Sequence, residues 1–273
     1  NDAQACYDRI TLVLLSYSLL RLGMPINLVR FMLNWLRNAQ YHLKLHDRIS
    51  APYGWTPAYP LQGTGQGTGW SPPNWASISD LITRTMDTHT PGMTLTHPNR
   101  TTTSRTVDAF VDDTNSGLTQ DALTSFDPNP SAPVQKQDTV YSQTAANVQF
   151  YSDLLTSTGG KMALHKSYVY ILKTTWRNGT RRLEETQKYL PSMLIKQQSH
   201  FHDLHLLSPK QSRRMLGVLT APDGNSKDQM NVLRAKAEQW SKSLKAKLLY
   251  QHEALLSHHH ALTSAIKFPL GAS

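Results

Sequence analysis

The chain of 273 residues carries 28 Lys and Arg against 19 Asp and Glu, a net charge of +9. With 39% hydrophobic and 17% charged residues it can bury a core, which excludes disorder by composition, and its positive balance favours an acidic partner, of which nucleic acid is the commonest. The single cysteine, Cys6, excludes an internal disulfide framework and fits a reducing, intracellular compartment, cytoplasm or nucleus; no apolar run reaches the length of a membrane span, so no membrane partner is expected.

The first ten residues, NDAQACYDRI, lead into the stretch 11–20, apolar nearly all round, which predicts a helix buried deep in a core. Gly23 ends it, and Pro25 opens a second helix to about Ala39 with Leu28, Phe31, Met32, Leu33, Trp35 and Leu36 as a wide apolar face. Residues 41–46 alternate as a half-buried strand does, and 51–70, rich in Gly, Pro and aromatics, reads as loop. Ser71 is placed as the N-cap of a helix with Pro72 and Pro73 in its first turn, running through Trp75, Ile78, Leu81, Ile82 and Met86. The Thr- and Pro-rich stretch 88–104 and the polar stretch 119–137 read as loops. Between them the run 106–111 reads as a short strand that stops at Asp112 and Asp113, with the turn chemistry in Thr114, Asn115, Ser116 and Gly117. A helix follows over about 139–156, ended by Gly159 and Gly160, then a strand over 166–172 and two or three weaker strands up to Leu219. From Ser226, Met230, Leu233, Ala237, Trp240, Leu244 and Leu248 fall at helical spacing, with Lys227, Arg234, Lys242, Lys245 and Lys247 largely on other faces. No internal repeat is evident.

Three places carry chemistry. Paired carboxylates at Asp112 and Asp113 repel each other, so stability alone explains them poorly, and a divalent cation would neutralise them. The loop Gln66, Gly67, Thr68, Gly69, Trp70, Ser71, Pro72 lets backbone approach a phosphate, sugar or base, and the helix start behind it favours an anion. Asp2 lies in a dense motif at the head of the chain. By contrast, His258, His259 and His260 are consecutive, cannot face one ion from a helix, and are read as a solvated turn. The chain opens directly in a motif and stops at Ser273 without an evident tail, so a segment of a longer polypeptide is expected.

NDAQACYDRI, QGTGWSP and FVDD, in that order, resemble the motifs of reverse transcriptases, closest to the retrotransposon and group II intron type. The likeness continues in GKMALHK, 160–166, similar to the family's next motif, and in Leu216 and Gly217 of RRMLGV, similar to its primer-gripping hairpin. It covers the chain from Asp2 to about Leu219, and the basic helices after that resemble a thumb.

The resemblance implies an α+β fold: a right-hand polymerase palm of antiparallel sheet packed on helices over 1–220, with a helical thumb-like region over 221–273 and the fingers mostly N-terminal to the first motif. It implies an RNA-directed DNA polymerase that joins dNTPs to a DNA primer on an RNA template. Asp2 and Asp112 match the metal-binding aspartates and Asp113 the neighbour of the second. Tyr7 matches the bulky residue beneath the incoming sugar, Gln66 and Gly67 open the second motif, and Lys166 is placed to protonate the leaving pyrophosphate. Two Mg²⁺ ions, about 3.5–4 Å apart, suit such a site, with Mn²⁺ as a substitute, because oxygen ligands favour a hard cation. Leu216, Gly217, Arg234, Lys242 and Lys245 are the expected primer and template contacts, the cations tracking phosphates without reading sequence. Two other readings stand beside this one: a palm that only binds nucleic acid, and an RNA-dependent RNA polymerase. Val111 before the aspartates and a bulky Tyr7 weigh against the RNA polymerase.

Overall fold

The computed structural model describes residues 3, 6–57, 62–65, 68–110, 113–119, 136–215, 217–245 and 250–263. Its helices are α1 (Cys6–Arg9), α2 (Leu12–Arg21), α3 (Ile26–Asn38), α4 (Ser71–His89), α5 (Lys136–Ser157), α6 (Lys227–Lys245) and α7 (Gln251–Ser257). The strands before α5 are β1 (Gln40–Tyr41), β2 (Lys44–Leu45), β3 (Arg48–Ile49), β4 (Tyr53–Gly54), β5 (Met93–Thr96), β6 (Thr102–Arg105), β7 (Val107–Phe110) and β8 (Asp113–Ser116). After it come β9 (Tyr168–Tyr170), β10 (Lys173–Arg177), β11 (Thr180–Glu184), β12 (Met193–Gln197), β13 (His200–Leu207), β14 (Arg213–Met215) and β15 (Val218–Thr220). The fold is mixed α+β, its strands joined in small sheets that are mostly two-stranded and antiparallel. Among the described residues no helix is long and apolar enough to cross a membrane. Two compact units result, Asn1–Ser167 with Met193–Leu204, and Tyr168–Ser192 with His205–Ser273.

In the first unit α4 is the hub, packing on α1, α2, α5 and β7. Trp75, Ile78, Ile82 and Met86 recur at three- and four-residue spacing and form its buried stripe, while Asp80 stays near the surface between Arg21 and Arg84, 2.8 Å from each. Burying side chains such as Leu15, Ile78, Met86 and Leu155, each wholly covered, contributes roughly 1.5–3 kcal/mol apiece. Pro72 and Pro73 start the helix as expected, but Ser71 does not cap it. Trp70 holds the cap position, and Ser71 is the first helical residue, turned back onto the loop before it.

The expectation of a helix over 11–20 buried deep in a core is corrected. α2 buries Leu15, Ser18 and Leu19 against α3 and α4, and the Ser18 hydroxyl donates to the Ser77 carbonyl at 2.9 Å. Val13 and Tyr17 remain about two-thirds exposed, because two neighbours cover only one side of a helix. α3 likewise buries Val29, Met32 and Leu36 and leaves Phe31 and Trp35 exposed. Over 41–46 the expected half-buried strand is instead parts of two two-residue strands, β1 paired with β4 and β2 with β3, exposed apart from the half-buried Tyr41.

The expected loop over 88–104 is also corrected: α4 continues to His89, and β5 and β6 pair from Met93↔Arg105 to Thr96↔Thr102. The stretch is Thr-rich, and β-branched Thr suits a strand as well as a loop. Residues 120–135 lie outside the described residues.

In the second unit β9 pairs in parallel with the end of β13, from His205↔Tyr168 to Leu207↔Tyr170, while the start of β13 pairs antiparallel with β12 in the first unit. The strand expected over 166–172 is thus shorter, and Lys166 precedes it in a turn. β10 and β11 pair over five residues and reverse at Asn178 and Gly179, whose φ of 52° and 73° are those of a type I′ turn. β14 and β15 form a second hairpin in which Gly217 has φ +86°. In α6 Leu233 is buried and Ala237, Trp240 and Leu244 are half-buried as the expected stripe has them, whereas Met230 is exposed and its neighbour Gln229 is buried instead. The Gln229 side-chain amide oxygen accepts the Leu219 N–H at 2.8 Å, satisfying a strand donor from the helix. The triple histidine is not a turn. α7 runs into a π-helical segment, His258–Thr263, on which all three rings are exposed.

Candidate functional site

The residues that follow Asp2 are held from three directions. Ala3, 2% exposed, forms an isolated antiparallel bridge with Met162, and the Met162 carbonyl accepts the Gln197 side-chain amide at 3.1 Å. Cys6 is buried, Tyr7 is half-buried and Asp8 is exposed on the single turn α1. The Tyr7 carbonyl accepts the Thr64 N–H at 2.7 Å, and the Ile10 carbonyl accepts the Gly63 N–H at 2.8 Å. The segment 62–65, which precedes the expected Gly-rich loop, therefore lies directly on α1.

Glycine is required for that approach. A Cβ on Gly63 would stand 2.4 Å from the Tyr7 carbonyl oxygen and 2.5 Å from the Asp8 backbone, and Gly63 has φ +86°. Gly159 repeats the arrangement from the other side: φ +88°, and a Cβ there would be 2.4 Å from the Arg9 carbonyl oxygen. The Thr11 N–H donates to the Thr158 carbonyl at 3.1 Å beside it. Segments around 3–11, 62–65 and 158–162, far apart in the chain, thus meet backbone to backbone.

Behind the loop a set of hydroxyls ties it to α4. Ser71, 1% exposed, donates to the Thr64 and Gly65 carbonyls and lies 2.6 Å from the Thr68 hydroxyl, while Thr64 is wholly buried. One turn on, Asn74 Nδ2 is buried, and among the described residues neither it nor the buried Arg9 Nε on α1 has a hydrogen-bond partner. The residues 62–65 were not among the expected site residues. Their signal was present in the sequence: the tetrapeptide Gln-Gly-Thr-Gly occurs twice in succession, at 62–65 and 66–69.

The carboxylate hairpin is real, but its reversal lies earlier than expected. Phe110 pairs with Asp113 and Val107 with Ser116, so Thr114 and its two successors are strand, not turn. Alternation puts Val107, Ala109 and Thr114 on one face and Asp108 and Asp113 on the other. Val107 and Thr114 are buried, and the Thr114 and Tyr151 hydroxyls lie 3.0 Å apart, which fixes the first face on α5. Asp113 is half-buried on the face away from that contact, as the first residue of β8. Asp108 on the same face is paired with Arg105 at 2.9 Å.

Lys166 is exposed in the turn four residues beyond Met162, its backbone N–H donating to the Ala163 carbonyl at 2.9 Å. In the second unit Gly217 turns the β14–β15 hairpin, and Arg234, Lys242 and Lys245 are exposed along α6. Asp2, Gln66, Gly67, Asp112 and Leu216 lie outside the described residues. Among the described residues no cluster of three or more His, Cys, Asp or Glu forms a metal centre, and Asp113 is the only expected carboxylate of the set within them. The chain matches no protein-family model and no curated protein sequence.

Proposed function

We propose that this chain carries the palm of an RNA-directed DNA polymerase of a retroelement, which transfers nucleotides from dNTPs to a primer 3′-hydroxyl on an RNA or DNA template. The observation that carries the reading is the meeting of 3–11, 62–65 and 158–162 through contacts only glycine permits. These segments adjoin three of the motifs on which the resemblance rests, and nothing in their sequence separation requires them to touch. The hairpin β7–β8, packed by one face on helices with Asp113 on the other, supports it, as does the net positive charge.

In this reading Asp2 and Asp112 would hold Mg²⁺, since carboxylate oxygens suit a hard cation. The bound ions would stabilise charge on the attacking and leaving oxygens. Tyr7, half-buried with its own carbonyl held by the Thr64 N–H, would exclude a ribose 2′-hydroxyl by the bulk of its ring. Lys166, exposed on its turn, delivers a proton to the departing pyrophosphate. Arg234, Lys242 and Lys245 follow the duplex phosphates, and Leu216 and Gly217 bear on the primer.

Primer extension on an RNA template with dNTPs and Mg²⁺ or Mn²⁺ tests this, using the chain and any longer natural polypeptide that contains it. Extension lost in Asp112→Ala and in Asp113→Ala supports the polymerase. Salt-sensitive duplex binding with no extension by any of these polypeptides refutes it in favour of a palm that only binds nucleic acid.

A further inference from the structure

The hairpin β10–β11 lies outside every segment that resembles a polymerase motif, and it is exposed along nearly all of its length. Its register puts Lys173, Thr175 and Arg177 with Thr180, Arg182 and Glu184 on one face, and Trp176 on the other. Trp176 is 72% exposed, an unusual position for the largest apolar ring a protein has. Residues 173–184 include four cations, Lys173, Arg177, Arg181 and Arg182, and one anion, Glu184, which Lys173 already engages at 3.1 Å. Among the described residues neither Arg177 nor Arg182 has a carboxylate partner. The turn of this ribbon is the preferred one for a two-residue hairpin, and beyond its last strand Glu185 is gripped by Lys188 at 2.5 Å and Lys210 at 2.9 Å.

We propose that this hairpin is a docking site for single-stranded nucleic acid, an unpaired base stacking on the Trp176 indole while neighbouring phosphates meet Arg177 and Arg182. The charge is complementary to a phosphate backbone, and the uncovered indole selects the single strand, since a duplex keeps its base faces stacked on one another. A hairpin is one layer thick, so a strand crossing its edge reaches both faces within a nucleotide or two. Stacking and phosphate contacts read no sequence, so the site accepts any unpaired strand.

The test is fluorescence anisotropy of the full chain with short labelled oligouridylate and oligothymidylate, over a range of salt, without metal or dNTPs. These conditions separate it from the polymerase reading: a chain that extends no primer can still pass, and an active one can fail. Trp176→Ala is expected to weaken binding by about 5- to 150-fold, and Trp176→Phe, which keeps a ring face, to restore most of it. Arg177→Ala with Arg182→Ala should flatten the slope of log affinity against log salt by about 1.4. These side chains are exposed, and unchanged melting curves confirm that each variant is folded. Binding unaffected by either set overturns the proposal. So does loss on removing Lys242 and Lys245 with Trp176→Ala silent, or displacement by polyglutamate as readily as by oligonucleotide, each of which marks a general anion-attracting surface.

Discussion

Gly63→Ala puts the meeting of the loop with α1 to a quantitative test, and Gly23→Ala is its control. Both glycines have nearly the same φ, +86° and +85°, so an added methyl costs each a similar backbone strain of about 1–2 kcal/mol. Their surroundings differ: a Cβ on Gly23 meets nothing within 4 Å, whereas one on Gly63 stands 2.4–2.5 Å from three backbone atoms of Tyr7 and Asp8. Backbone cannot rotate away as a side-chain tip can, so the loop must withdraw by roughly an ångström, in a core that tolerates little displacement. Withdrawal weakens the Gly63-to-Ile10 and Thr64-to-Tyr7 hydrogen bonds, each contributing about 0.5–1.5 kcal/mol. Gly63→Ala is therefore expected to destabilise by about 2–5 kcal/mol and Gly23→Ala by about 1–2 kcal/mol. Urea unfolding followed by circular dichroism measures both. Equal losses in the two variants would show that the loop does not press on α1, and would remove the observation on which the functional reading stands.

Other outcomes follow from single contacts. Removing Gln229 as Gln229→Ala leaves the Leu219 N–H without its acceptor and should cost about 1–3 kcal/mol; a loss under half of that in a urea melt would mean water replaces the amide. Thr114→Val and Tyr151→Phe each break the hydroxyl pair that seats β8 on α5, and their double-mutant cycle should show a coupling of about 1 kcal/mol, while additive losses would deny the contact. Burial first, and then the neighbouring Tyr168, push the Tyr170 phenol up to about 12, and its hydroxyl donates to the Gln211 carbonyl at 2.7 Å. Raised above its unfolded value near 10, this group contributes stability that is complete below about pH 10 and disappears as pH rises towards 12. Ultraviolet titration should show a late phenol that is lost in Tyr170→Phe, beside that of Tyr141, which burial also raises; an unchanged titration curve in the variant would contradict the shift.

Helices were readable where one face is apolar and the breakers are local. Pro25, the Pro72 and Pro73 pair and Gly159 bound their elements as residue chemistry demands, and the turns at Gly179 and Gly217 follow from positive φ. Burial was less legible. α2 is apolar nearly all round, and only the position of α3 and α4 decides that Leu15 and Leu19 are covered while Val13 and Tyr17 are not. Propensity also failed for Thr114, Asn115 and Ser116, whose polar side chains suit a turn but which pair as strand because Thr114 finds Tyr151 on α5.

The order of the motifs is a property of the sequence alone, as are the positive charge, the lone Cys6 and the doubled Gln-Gly-Thr-Gly. Which of those residues touch is a property of the tertiary structure. Gly63 and Gly159 approach α1 from two distant parts of the chain, and a glycine announces only that backbone can come close, never which backbone. Local sequence encodes dihedral preference and periodic burial. Contacts across tens of residues arise from packing, and packing is settled by all the elements at once.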